Sequence, residues 1–276
     1  MGETKTLQNK ILEIAVDFDK YCQEHEITYF LMGGSALGAM RHKGFIPWDD
    51  DLDVFMTYDN YLKLIDCASK DLNTDKYYFE KEDTKIYPYF FSKLKMNGTT
   101  LIENDHTSPE VHQGIFIDIM CLNYVSENSF IRKLQFYVAG MLKAKANKLN
   151  HYVAKGTKKK IEIFISNIVV NKLTKKMFLN FVRKDNKKKT RILAHYFGRA
   201  KYGNSCYKAE WFEKQVYVDF EDTKLPVCNG VHEYLMARYG EDYMKMPSEE
   251  TKAMYDSHAV YYSVDTDYKE YYKNKQ

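Results

Sequence analysis

The chain has 276 residues, a net charge of +3, and 45% apolar and 15% aromatic residues, so it is long enough to bury a sizeable core and too aromatic to be disordered. Its five cysteines, Cys22, Cys67, Cys121, Cys206 and Cys228, are scattered without a Cys-x-x-Cys pair, which argues against a disulfide framework and a thiolate zinc site. The start at Met1 to Lys5 leads into no signal-peptide core and no apolar run reaches about 18 residues, so nothing reads as membrane-spanning and a reducing, cytoplasmic setting is expected.

Leu7, Ile11, Ile14, Ala15, Phe18, Tyr21 and Cys22 recur at helical spacing and predict an amphipathic helix over residues 5 to 25 that covers one face of a sheet. Ile27 to Met32 reads as a buried strand closed by a tight Gly33-Gly34 turn, with Ser35 as N-cap of a short helix over Ala36 to His42 that ends at Gly44. Pro47 keeps the approach from Phe45 extended, and Asp51 to Met56 is the next strand. Alternation places Asp49, Asp51 and Asp53 on one face and Leu52, Val54 and Met56 on the other. Asp50 points the opposite way and is expected to be replaceable.

Residues 59 to 70 read as a helix with Tyr61, Leu62, Leu64, Ile65 and Ala68 inward. Strands are predicted over Tyr77 to Lys81, Tyr87 to Met96 and Thr99 to Glu103, the last two joined as a hairpin at Asn97-Gly98. Gly114 to Met120 is the most β-rich run and carries one charge, Asp118. From about Asn128 to Lys189 lysine-rich helical patterns take over, one of them spanning Lys160 to Leu173. Between Met141 and Lys201 stand 18 Lys or Arg against Glu162 and Asp185, a local charge of +16 that leaves −13 for the remainder. A turn at Lys224-Leu225-Pro226 and a helix over Val231 to Tyr239, stopped by Gly240, follow.

Four carboxylates, Asp49, Asp50, Asp51 and Asp53, fall within five residues. Two like charges about 4 Å apart repel by about 4 kcal/mol at an effective dielectric of about 20, so a fold rarely crowds them without a cation. A strand, a Gly-Gly-Ser turn, a helix and an Asp-x-Asp strand make up the geometry of metal-assisted phosphoryl or nucleotidyl transfer. Backbone N–H groups at Gly33, Gly34 and Ser35 approach phosphate oxygens, while Asp51 and Asp53 hold one or two divalent ions. Oxygen-only ligands favour Mg²⁺ or Mn²⁺. The bland alternatives are an acidic surface turn or a calcium loop, against which the alternating Leu52 and Val54 argue. Asp118, a lone carboxylate in an apolar strand, calls for a cation shared with Asp51 and Asp53 or for an ion pair with a lysine or arginine.

Gly33-Gly34-Ser35, Leu37-Gly38, Arg41 and Gly44 to Asp53 resemble the signature of the LicD family of phosphocholine transferases. Gly114 to Ile119 resembles its second block, and Tyr239 to Met244 with His258 its C-terminal block, the three together reaching from about residue 28 to 260. The resemblance implies an α/β, nucleotidyltransferase-like fold, a mixed β-sheet core flanked by helices, while the change of pattern itself marks the basic helices as an inserted subdomain. The division expected is a catalytic core over residues 1 to 127, a basic helical insertion over 128 to 200 and a C-terminal segment over 201 to 276 packing back on the core.

The resemblance further implies a divalent metal on Asp51, Asp53 and Asp118, with Asp49 a further ligand or its neighbour. LicD-like enzymes move phosphocholine from CDP-choline to a hydroxyl of a cell-surface glycan, such as a lipopolysaccharide or teichoic acid precursor, and release CMP; fukutin-type relatives use CDP-ribitol. On this footing Gly33, Gly34, Ser35 and Lys93 are candidates for the donor's phosphates, Arg41 for the leaving CMP, and His258 is a late candidate. A solvated strand lysine is the alternative for Lys93, a core histidine for His258, and a surface role for His42. Asp118 or Asp49 would take the proton from the attacking hydroxyl. Cys228-Asn229-Gly230 departs from the pattern, where a proline and a tyrosine are expected. The many tyrosines invite an aromatic cage for choline, though no pattern singles any out.

Two rivals stand beside this reading. One is a nucleotidyltransferase that attacks the α-phosphorus and transfers NMP; the other is a non-catalytic module holding polyanions on its basic helices, which gains nothing from clustered carboxylates. Residues 141 to 201 offer a contact for a polyanionic acceptor or for anionic lipid at the inner membrane face, or are an ordinary solvated lysine-rich surface. No nucleic acid partner is expected.

Overall fold

The helical spacing of Leu7, Ile11, Ile14, Ala15 and Phe18 buries all five in the core. The helix that carries them, α1 (Gly2–Glu24), is followed by β1 (Phe30–Leu31), α2 (Gly33–His42), β2 (Asp53–Thr57), α3 (Tyr58–Asp71), β3 (Tyr77–Glu80), β4 (Ser92–Met96), β5 (Thr100–Ile102) and β6 (Phe116–Tyr124). Next come α4 (Ser129–Leu149), α5 (Thr157–Val169), α6 (Lys172–Arg183), β7 (Ile192–Ala194), β8 (Cys206–Lys208), β9 (Gln215–Phe220), β10 (Thr223–Cys228), α7 (Val231–Tyr239), α8 (Glu249–Lys252), β11 (Tyr261–Ser263) and α9 (Tyr268–Lys275). The computed structural model of the chain describes residues 2–103, 110–150, 156–252 and 259–275.

The fold is α/β, with a mixed sheet in the order β1-β2-β6-β4-β3 and β7 and β8 added beyond the end of β6. β2 and β6 run parallel, joined by α3 and the strands after it; every other pairing in the sheet is antiparallel. The period of two along β6 decides the two faces. Ile117, Ile119 and Cys121 are buried under α1 and α3, and Tyr61 of α3 reaches Ser92 Oγ at 2.8 Å on that side. Phe116, Asp118 and Met120 point to the other face, which α1 and α3 leave open.

The structure corrects four expected elements. β5 does not pair with β4 across Asn97-Gly98, because β4 already has β3 and β6 on its two edges; β5 pairs with β11 instead. β4 starts only at Ser92, and Tyr87, Tyr89 and Phe91 before it form a cluster of edge-packed rings. The stretch from Lys160 to Leu173 breaks at Val170, since the Asn171 side chain accepts from the N–H groups of Leu173 and Thr174 while Thr174 Oγ1 accepts from Asn171 N–H, a capping box that starts a new helix. Lys224, Leu225 and Pro226 lie inside β10, and the chain reverses earlier, at Glu221 with φ +54°. Helix α7 keeps its expected bounds, ending at Gly240 with φ +96°.

A second, smaller core joins α4, α5 and α6 to the chain after β7 through Ala139, Leu142, Ala146, Val170, Val182, Tyr196 and Phe197. Arg183 at the end of α6 ties this part to the loop before β4 by two parallel bonds to Glu82, at 2.8 and 2.9 Å. Both side chains are almost wholly buried, so removing one partner strands a charge. Glu82→Ala should cost about 3–5 kcal/mol in urea denaturation, far more than an exposed pair would.

His195, in the same region, is buried with neither ring nitrogen hydrogen-bonded, its ring edge against Phe55. Burial, with the nearby Arg238 and Lys143 charges, depresses its pKa to about 3. A depressed folded-state pKa means stability is full above the unfolded value of about 6.5 and is lost as pH falls towards 3. His195→Leu should therefore flatten the acid limb of a stability-against-pH curve between about pH 6.5 and 3.

Candidate active site

The site is assembled by the parallel register of β2 and β6, which sets Asp53 directly beside Asp118 on strands about 4.8 Å apart. The next strand continues the row: Lys93 of β4 faces Asp118, and Glu80 of β3 faces Lys93. Opposed residues share a face, so two carboxylates, one lysine and a third carboxylate line up across four strands. Glu80 is drawn off by Lys95, with which it forms a buried ion pair. Lys93, itself buried, bonds Glu103 Oε2 at 3.0 Å, lies 3.2 Å from Asp118 Oδ1 and sits 3.3 Å from the centre of the Phe116 ring.

The backbone around Asp53 is clamped on both sides. Its N–H donates to Ser35 Oγ at 2.9 Å, its carbonyl accepts from Met32 N–H at 3.0 Å, and Asp118 N–H donates to Leu52 O at 3.0 Å. Ser35 is therefore not the N-cap of the helix: α2 begins two residues earlier, at Gly33, and Ser35 uses its hydroxyl to hold the start of β2. The Gly-Gly-Ser turn is thus the first turn of a helix, whose N-terminal N–H groups and dipole favour an anion. Gly33 has φ +54°, and its N–H donates to the buried Tyr234 hydroxyl at 2.8 Å. A Cβ on Gly34 would fall 2.6 Å from Asp49 Oδ2, so only glycine lets Asp49 come so near the helix start.

Alternation across the aspartates extends too far back, because β2 begins at Asp53. Asp49 follows a turn in which its N–H donates to Ile46 O at 2.9 Å, and the turn is held by Gln8 of α1, which donates to Ile46 O and Asp49 O at 3.1 and 2.8 Å. Asp50 is buried, and its Oδ2 accepts from Ala259 N–H at 2.9 Å. The residue expected to be replaceable is an anchor for the segment that leads into β11.

The electrostatics are those of a crowded, negative site. Burial and the neighbouring Asp51 and Asp118 charges hold the Asp53 carboxyl well above the usual carboxylate range. Burial, with Glu103 and Asp51 and against the opposing pull of Lys93, pushes Asp118 up to about 6. Although burial works against its charge, Lys93 is held protonated by Asp118 and Glu103.

Of the two partners expected for Asp118, a shared cation or an ion pair with a lysine or arginine, the structure shows the ion pair, to Lys93. Its Oδ1 is nonetheless buried without a well-directed hydrogen bond. Among the described residues no three His, Cys, Asp or Glu side chains close into a ligand set. Asp51, Asp53 and Asp118 still fit a divalent cation in kind: oxygen donors only, mutually repelling, one with an orphaned oxygen.

Lys93 belongs to the carboxylate row and is not a solvated strand lysine. Arg41 stands at the far end of α2, about 12 Å along the axis from Gly33 at about 1.5 Å per residue. There its guanidinium donates to His42 Nε2 and to the carbonyls of Tyr243 and Lys245, tying down the chain after α7. His258 lies outside the described residues.

Two residues not named from sequence stand nearer, both on α7. The Tyr239 hydroxyl comes within 3.5 Å of where a Gly33 Cβ would be. Packing around that hydroxyl, together with the Asp49 and Asp53 charges and against Arg238, pushes its pKa up to about 12. Arg238 has Nη1 buried without a hydrogen-bond partner. The signal available in the sequence was Tyr239 itself, which opens the third block of the resemblance.

Residues 26–134 match the family model described as LicD/FKTN/FKRP, nucleotidyltransferase domain. Over that stretch the chain is similar to a LicD-type nucleotidyltransferase domain. It is also 29% identical over 247 residues to the lipopolysaccharide cholinephosphotransferase LicD of Haemophilus influenzae, covering 87% of this chain and 90% of that protein. Shorter similarities reach uncharacterised proteins of Rickettsia prowazekii, 33% identical over 54 residues, and Rickettsia typhi, 33% over 60 residues, about a fifth of each chain. The LicD-type domain as matched holds Gly33 to Ser35, Asp49 to Asp53, Lys93 and Asp118, whereas Arg238 and Tyr239 are supplied from beyond it.

Because Asp50 accepts a backbone hydrogen bond from inside the protein, Asp50→Ala leaves the Ala259 N–H without that acceptor. The variant should lose about 1–3 kcal/mol in chemical denaturation, and a loss within experimental error would show that the contact does not anchor the segment.

Proposed function

We propose that the chain is a metal-dependent transferase that moves phosphocholine, or a related phospho-alcohol, from a CDP-alcohol donor to a hydroxyl of a cell-surface glycan precursor, with CMP as the leaving group. The observation that carries this reading is Asp53 beside Asp118 on adjacent parallel strands, next to a glycine-opened helix start faced by Asp49. The Haemophilus influenzae relative, by its name, transfers choline phosphate to lipopolysaccharide. It supports choline phosphate as the transferred group and a lipopolysaccharide-like acceptor; CDP-choline as the donor and a teichoic acid precursor as the other acceptor rest on the family resemblance alone. We further propose that residues 1 to 127 do the catalytic work, helped by α7 from the C-terminal segment, and that the chain acts in the cytoplasm.

Asp51, Asp53 and Asp118 would hold Mg²⁺ or Mn²⁺, which when bound supplies charge neutralisation at the phosphates and the departing CMP. The first-turn N–H groups of Gly34 and Ser35 receive phosphate oxygens. Arg238 contributes a cation at the same end of α2, a role sequence reasoning gave to Arg41. Lys93 keeps Asp118 ionised and in place. Asp118 and Asp49 are the two carboxylates offered as acceptor for the proton of the attacking hydroxyl.

Incubation with CDP-choline, Mg²⁺ and a glycan acceptor, followed by ³¹P NMR, should give CMP and a phosphocholine ester. Free phosphocholine with a CMP-glycan would instead mean attack at the α-phosphorus. Asp53→Asn should lower turnover by at least about a hundredfold. In EDTA the same variant should melt no lower than the parent, because ionised Asp53 is disfavoured in the fold. Unchanged glycan binding with no turnover in either protein would leave polyanion binding as the function.

A further inference from the structure

Helix α5 presents an apolar stripe to solvent. Ile161, Phe164, Ile165 and Ile168 are 53%, 67%, 48% and 65% exposed. Their spacing of i, i+3, i+4 and i+7 puts them within about 100° of one another around the helix, while Ile163 and Ser166 on the opposite side are buried. Leu173 at the start of α6 adds to it at 83% exposed. A helix whose only role is to cover a core has its apolar side inward; here the inward side is already filled and a second apolar side faces out.

The charges around the stripe are of one sign. At 100° per residue Lys158 and Lys160 fall on its two flanks, and Lys172 and Lys176 follow on α6. Between Thr157 and Lys189 the chain carries eleven Lys or Arg against Glu162 and Asp185. Glu162 is bound by Lys159 at 3.0 Å and Asp185 by Lys188 at 3.6 Å, while Lys175, Arg183 and Lys189 pair with Asp83, Glu82 and Asp59 from outside the segment, which leaves Lys158, Lys160, Lys172 and Lys176 as the cations beside the stripe. No helix among the described residues is long and apolar enough to cross a membrane, which leaves an arrangement lying along a surface.

We propose that α5, with the start of α6, docks this protein on an anionic phospholipid membrane, Ile161, Phe164, Ile165 and Ile168 entering the headgroup boundary while the flanking lysines meet lipid phosphates. Charge complementarity selects lipid over a second copy of the chain. A homodimer through the same helix would bring two sets of these lysines together, whereas an anionic surface neutralises them. The inference stands apart from the transfer reaction, since no residue in it belongs to the candidate active site.

Flotation of the full chain with vesicles tests it. Vesicles of phosphatidylcholine with about 30 mol% phosphatidylglycerol should bind the protein at least about tenfold more tightly than phosphatidylcholine alone, and about 0.5 M salt should erase most of that preference. Phe164→Ser combined with Ile168→Ser should lower binding to the anionic vesicles at least about tenfold without lowering the melting temperature, since both side chains are exposed. Absence of binding, equal binding to both vesicle types, or no effect of the double variant would overturn the proposal. So would a dimer in analytical ultracentrifugation that the double variant dissolves while vesicles fail to bind.

Discussion

Everything at the centre of this protein depends on one strand pairing. When β2 and β6 run parallel with Asp53 opposite Asp118, two carboxylates are forced together on a face that α1 and α3 do not cover. The core cannot absorb that repulsion, because desolvation makes each ionised group costlier, which is why both carboxyls are held in a raised pKa range. Lys93 offsets part of it from the third strand, and the side of the row without a lysine is where an external cation meets the largest unbalanced field.

Such an arrangement survives only if the surrounding backbone leaves the carboxylates nowhere to relax, and the clamps are distributed over the whole sequence. Gln8 in α1 holds the turn before Asp49, Ser35 in α2 holds Asp53, Tyr234 in α7 holds Gly33, and Asp50 reaches Ala259. Each pairs a buried polar group with a backbone group that would otherwise be unsatisfied, and all but Asp50 fix geometry with a neutral side chain. The dependence on α7 explains why the domain match, which ends at residue 134, does not by itself contain the site.

Local signals made part of this legible. The helical period of α1, the Gly240 stop of α7 and the strand from Asp53 to Met56 come from contacts within a few residues, and the structure keeps them. The Asn97-Gly98 hairpin failed because a turn signal says nothing about whether the strand before it has a free edge; β4 had none. Parity misplaced Asp50 because it treated residues 49 to 52 as strand, and Arg41 was assigned by its nearness in sequence to the glycines, although a helix of ten residues carries its end well away from its start. Lys93, Arg238 and Tyr239 acquire their places from strand register and from a helix some two hundred residues downstream of Gly33, neither of which one sequence encodes locally.

The uneven charge of the chain follows from the same physics. A site built from carboxylates repels the phosphate-rich molecules it is proposed to act on, and within a Debye length of about 8 Å that repulsion is felt by any approaching anionic surface. Placing the cations inside the site would neutralise the carboxylates rather than recruit the substrate, as the Lys95–Glu80 pair illustrates. Segregating them onto α5 and α6, on a core of their own tied to the sheet by Arg183 and Glu82, keeps attraction and catalysis on separate surfaces of one chain. On the proposed reading the basic helices draw anionic lipid towards the molecule while Asp53 and Asp118 stay clear of those cations.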